Sequence, residues 1–222
     1  MTEPPSNARS VWALARVTFA RVRRGTLRRV ALAIAALPAI AAIPLHGKGG
    51  LTLFHIVLVI LPPLFIAPAI GEEIEDRTGS YLWSRPIERW TIVAGKLIAL
   101  APMCAAFVAV SAFAAGAAGD DTMGSPHVIA AVAAGALGSC AVVAGIATLL
   151  PRHAMIFAIV YQLVDAVFGG RDASLHFVTV DYATRSIAGL TASSVMTGAI
   201  GLVAIMAVWL AVAMARIARI ET

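Results

Sequence analysis

This 222-residue chain has little charge. Asp, Glu, Lys and Arg make up 13% of it, where a soluble domain carries about 25%. Apolar residues reach 60%, against roughly 45–50% in ordinary soluble proteins. An ordinary soluble globular protein is therefore excluded, and so is a disordered chain, which is poor in apolar residues. Cysteine is also scarce. Cys104 and Cys140 both sit in apolar runs and offer neither a disulfide framework nor a metal-ligand spacing. There is no Gly-x-x-x-x-Gly-Lys-[Ser/Thr] phosphate loop: Gly95-Lys96 is followed by Leu97 and lacks the preceding glycine, so ATP is not bound by that device. His-Glu-x-x-His and Gly-x-Ser-x-Gly are absent too, which removes two common hydrolytic signatures. What is left is an all-α integral membrane protein. A helical span needs about 20 residues, so the length admits no large domain outside the bilayer.

Residues 1–10 are polar, contain Pro4 and Pro5, and read as a frayed tail. Residues 11–29 mix apolar groups with Arg16, Arg21, Arg23, Arg24, Arg28 and Arg29, and Arg9 lies just before them. Trp12, Ala15 and Phe19 recur at helical spacing, so this stretch reads as an amphipathic helix lying on a membrane surface. A signal-peptide leader is the alternative, but seven arginines are too many for it. Apolar runs then predict six spans, over 30–45, 51–70, 92–118, 128–150, 154–168 and 195–215. The first and fifth are short. Pro62, Pro63 and Pro68 predict a kink in the second. Residues 169–194 are mildly apolar, with Asp172, Asp181 and Arg185 interspersed, and read either as short re-entrant helices before the last span or as an amphipathic loop.

The net charge is +5, and its placement says more than its sum. Fourteen of the 17 cationic residues fall at the N-terminus, in 71–96, at Arg152, and at Arg216 and Arg219. Lys48, Arg171 and Arg185 occupy the alternate breaks. Lys/Arg bias sets orientation, so both termini are expected in the cytoplasm, which requires an even number of spans. Arg outnumbers Lys fifteen to two, a bias expected of a GC-rich bacterium, and the expected location is a bacterial cytoplasmic membrane. With the cations distributed by topology, the basic balance does not imply nucleic acid.

The densest chemistry lies between the second and third spans. Glu72, Glu73, Glu75 and Asp76 fall within five residues, followed by Arg77, Thr78, Tyr81, Leu82, Arg85, Pro86, Glu88 and Arg89. Four acids ending a helix would oppose its macrodipole. Gly71 is therefore expected to break the chain and start a short helix with the acids in its first turn, and Pro86 to open the helix into the third span with Glu88 in its first turn. A turn serving only orientation does not need this density of mixed charge and aromatics, which suits a protein partner. The pattern Glu-x-x-x-x-Thr-x-x-Tyr-Leu-x-x-Arg-Pro-Ile-x-Arg-Trp-x-Ile-x-x-Gly-Lys, from Glu73 to Lys96, resembles the cytosolic loop of ABC-transporter permeases of the type-2 exporter family. That resemblance implies a coupling loop over 71–91 whose helix docks on a separate ATPase subunit. ATP and Mg would be bound by that partner, with no cofactor in this chain, and the permease would act as a homodimer or heterodimer. The family also carries an interfacial N-terminal helix, six spans and re-entrant helices before the last, as expected here from charge and hydropathy.

Inside the spans, Asp165 is the one well-embedded carboxylate, and intramembrane acids are functional candidates. Tyr161 and Gln162 lie four and three residues before it, on one helical face. The three form a possible substrate pathway, unless Asp165 sits at the outer interface. His55, in the second span, either contacts substrate or packs. Small residues at four-residue spacing, Gly135 with Ser139 and Ala141 with Gly145, permit close helix packing, within the subunit in preference to a dimer seam. Two further readings stand beside an exporter subunit. One is a small intramembrane enzyme using Asp165 or His55, for which no second convergent group is evident. The other is a non-transporting membrane anchor that retains the docking loop.

Overall fold

A computed structural model describes residues 7–24, 26–45, 50–75, 88, 90–118, 122–170 and 176–219. All regular secondary structure among them is helical. The order is α1 (Asn7–Arg24), α2 (Thr26–Leu45), α3 (Gly50–Glu75), α4 (Trp90–Ala117), α5 (Pro126–Leu149), a 3-10 turn (Pro151–His153), α6 (Ala154–Gly169), a second 3-10 turn (His176–Val178), α7 (Val180–Ile187) and α8 (Val195–Arg219). Among the described residues, four segments are long and apolar enough to cross a membrane: α4, α5, α6 with its preceding 3-10 turn, and α8. The chain is thus a membrane-embedded helical protein.

The sequence explains which helix lies at the centre. α5 is apolar on every side and built largely of Ala, Gly, Ser, Cys and Val, the pattern of a helix surrounded by others. Of its most apolar window 72% is buried, against 22% for α8. α3, α4, α6, α7 and α8 all pack on it. Its small residues set the approach distances: a Cβ on Gly135 would lie 2.2 Å from Thr184 Oγ1 of α7, and one on Gly145 would lie 2.4 Å from the Trp209 ring of α8. The four-residue pattern of small side chains therefore serves packing within the chain. Phe65 of α3 and Phe107 of α4 stack with centroids 5.8 Å apart.

Two expectations need correction. The stretch expected as a helix over 11–29 falls on α1, Asn7–Arg24, and on the start of α2 at Thr26, which carries Arg28 and Arg29. Gly71 does not break α3, which runs on to Glu75 with Pro62, Pro63 and Pro68 inside it. The glycine is required for contact instead: a Cβ there would lie 2.7 Å from the Pro151 carbonyl oxygen and 3.3 Å from Ala154 Cβ. Glu88, finally, precedes α4 rather than lying in its first turn. Its carbonyl accepts from Thr91 N–H at 3.0 Å and Thr91 Oγ1 at 2.6 Å.

The short fifth run is completed at both ends. The turn at Pro151–His153 extends α6 to 19 residues, about 28 Å at 1.5 Å per residue, close to the hydrocarbon thickness of about 30 Å. Beyond Gly169 the chain returns as α7, whose Val180, Ala183, Thr184 and Ser186 are buried against α5, α6 and α8. Residues 169–194 therefore do contain short helical segments packed back into the bundle.

Candidate functional site

Two places gather the residues singled out from the sequence. The first is the approach to the α3–α4 connection. Glu72, Glu73 and Glu75 occupy the last turn of α3, where carboxylates oppose the macrodipole. Lys96 of α4 is buried, 5% exposed, and its Nζ donates to the Ala69 carbonyl, within the last two turns of α3. That carbonyl also takes the helix's own bond, so the lysine is a second donor that ties α4 to α3. Gly95 beside it admits α1, since a Cβ would lie 2.9 Å from Leu14 Cβ and 3.0 Å from the Val11 carbonyl oxygen. The last two positions of the motif therefore hold α4 to α3 and α1. Asp76, Arg77, Thr78, Tyr81, Arg85, Pro86 and Arg89 lie outside the described residues, as do the side chains of Glu72, Glu73, Glu75 and His55.

The second place joins α6 to α7. Asp165 is 5% exposed. Its Oδ1 accepts from Val180 N–H at 3.0 Å and its Oδ2 from Asp181 N–H at 2.9 Å. These are the first two N–H groups of α7, which no turn of the helix itself can satisfy. The carboxylate therefore closes the N-terminus of a helix from outside it, where an anion is electrostatically favoured. Thr179 completes the end by accepting from Tyr182 N–H at 3.2 Å. Asp181 and Arg185, one turn apart, pair at 2.8 Å. At the far end Leu190 N–H reaches the Arg185 carbonyl at 2.9 Å and Gly189 N–H the Ser186 carbonyl at 3.1 Å, a Schellman stop. Gly189 supplies its required left-handed residue at φ +71°.

Gln162 lies one turn before Asp165, also buried, 4% exposed. Ser139 Oγ donates to its Oε1 at 3.5 Å, the long limit of a hydrogen bond. Its Nε2 has no hydrogen-bond partner among the described residues. Tyr161 turns toward α8, its ring edge-on to Trp209 with centroids 5.5 Å apart. The structure thus groups Asp165 and Gln162 on the buried face of α6 and sends Tyr161 to a neighbouring contact. Sequence reading noted Asp181, Arg185 and Ser139 without giving them a place in the site, and it missed Thr179. The i, i+4 spacing of Asp181 and Arg185 and the Thr-x-x-Tyr cap are local signals that could have marked α7. No family model matches this chain, and no curated protein matches it.

Proposed function

We propose that this chain is the membrane-spanning permease subunit of an ATP-binding cassette exporter of the type-2 family. It would have six spans, both termini in the cytoplasm of a bacterium, and a separate ATPase docked on residues 71–91. Two permease copies, identical or different, would flank the pathway. ATP binding would close the ATPase pair, and the docked loops would move the spans between inward- and outward-facing states. The observation that carries this reading is the pattern from Glu73 to Lys96, which joins the two long helices α3 and α4. The six spans would be the four segments long and apolar enough to cross, with α2 and α3 as the two further ones.

Gln162 is the side chain best placed to meet cargo. Its buried amide N–H has no protein acceptor among the described residues, and leaving such a donor unpaired costs about 1–3 kcal/mol. A water or a transported group with an acceptor would recover that. Asp165, with both oxygens engaged by α7, would hold the wall beside it. Copurification from native membranes tests the assignment. An ATPase should accompany the wild-type chain, and Glu73→Lys with Glu75→Lys should remove both the ATPase and transport. Isolation without any ATPase, together with intact transport by the charge-reversed variant, would sink the proposal.

A further inference from the structure

α1 carries no acidic residue and packs on α4 through Val11, Ala15 and Val22. Its next face is left open. Trp12 is 61% exposed, Phe19 46%, and Ile98 of α4 45%. With Pro102, Met103, Ala106 and Phe107 they line a groove of about 610 Å³, within the range of about 300–1,000 Å³ typical of small-molecule sites. Among the described residues, one charged side chain, Arg16, stands on this otherwise apolar wall, and no acid does. Arg9 lies seven residues earlier on the same exposed face of α1.

The length of α4 places this groove in the bilayer. Residues 97–117 are free of charge and span about 31 Å, the thickness of the hydrocarbon core. The core boundary therefore falls near Lys96, the level at which Gly95 receives α1. From Ile98 to Phe107 the groove descends about 13 Å, nearly one leaflet. Arg16 follows Ala15, whose backbone N would lie 3.6 Å from a Cβ on Gly95, so it stands near that boundary, where headgroup phosphates are, and the groove beneath is apolar where a lipid tail is.

We infer that the α1–α4 groove binds one anionic phospholipid of the adjacent leaflet, with an acyl chain along Ile98, Pro102, Met103 and Phe107 and its phosphate paired with Arg16. The match rests on charge and depth together. A cation at headgroup level attracts a negative headgroup, and a tail-length apolar channel continues from it. Such a lipid would fasten the N-terminal helix to the third span, independently of what the protein transports.

Native mass spectrometry of the full chain in detergent, titrated with phosphatidylglycerol or phosphatidylcholine, tests this. Phosphatidylglycerol should be retained in preference to phosphatidylcholine. Arg16→Gln should reduce that preference about fivefold, the effect of one arginine near an anionic surface. Arg219→Gln, at the far end of the chain, should leave it unchanged. Ala106→Trp, which fills the groove from an exposed position, should reduce binding of both lipids. Helical circular dichroism should match wild type in each variant. An undiminished preference in Arg16→Gln overturns the inference. So does unchanged lipid retention in Ala106→Trp, or a change there from dimer to monomer without loss of lipid, which would make the groove a contact between copies.

Discussion

Replacing Asp165 by Asn leaves the side chain its shape and removes its charge, so it isolates what the carboxylate does for α7. Asp165 now accepts from two backbone N–H groups, at 3.0 and 2.9 Å. An amide has one acceptor oxygen; its NH2 would face an N–H, donor against donor. One charge-assisted bond is lost, about 1.5–3 kcal/mol, together with the attraction of an anion for the helix terminus, about 0.3–1 kcal/mol. The sum is about 2–4 kcal/mol on the local opening of α7. At 1.4 kcal/mol per tenfold, amide exchange over 179–187 should accelerate by about 30-fold to several hundredfold. Hydrogen–deuterium exchange of the purified protein in nanodiscs reads this by segment. Asp165→Ala, which orphans both N–H groups, should exceed the Asn variant. The surviving contacts of α7 with α5 and α8 confine the effect, so the centre of α5 should keep its protection. Unchanged exchange over 179–187 in Asp165→Asn would refute the capping argument. Uniform acceleration through α5 and α8 would refute its locality.

Gly135→Ala should cost about 1–3 kcal/mol by overpacking, because the new Cβ meets a Thr184 hydroxyl already bonded to the Val180 carbonyl at 2.7 Å; scanning fluorimetry should show a lowered Tm, partly restored by adding Thr184→Ala, and an unaltered Tm would contradict the close approach of α5 and α7. Lys96→Met should remove the second, charged donor of the Ala69 carbonyl, at about 1.5–3 kcal/mol, and raise exchange at the end of α3, whereas equal exchange there would show that the lysine does not hold that helix. Arg185→Gln should remove the Arg185–Asp181 ion pair. Because Arg185 is 32% exposed, solvent screening limits the loss to about 1 kcal/mol, and a double variant with Asp181→Asn should recover most of it in thermal unfolding; no recovery would place the loss elsewhere.

What was legible in the sequence was whatever a single helix announces by itself. The runs behind α4, α5 and α8 are long, apolar and bounded by charge or glycine, so hydropathy located them to within a few residues. The small residues of α5 announced close packing. Partners across the fold were not legible, because the same residue type serves opposite ends. Gly71 reads locally as a break, and only Pro151, eighty residues on, shows it to be a contact. Asp165 reads as an intramembrane acid, and its purpose becomes visible only when the first two N–H groups of α7 arrive beside it. Trp12, Ala15 and Phe19 share helical spacing, yet Ala15 is buried on α4 while the two aromatics stay exposed; spacing defines a stripe, and the neighbour divides it.

The contacts around the α3–α4 connection share a mechanical consequence. At the end of α3, Gly71 sits on the Pro151 carbonyl and so touches the turn joining α5 to α6. At the start of α4, Gly95 sits on the Val11 carbonyl of α1, and Lys96 is bonded back to Ala69 of α3. Each involves backbone at van der Waals range or closer to it than a methyl group would allow, so none can slide without separating the helices; packed interiors transmit displacement because they compress little. A force applied between residues 75 and 90 would therefore reach α3 and α4 together, then the α5–α6 turn through Gly71 and α1 through Gly95. The sequence concentrates mixed charge at a connection whose two ends are fastened in this way to α1, to the α5–α6 turn and to each other. Under the proposed function, that coincidence of charge and anchorage would let a docked partner move α3 and α4 rather than bend the connection.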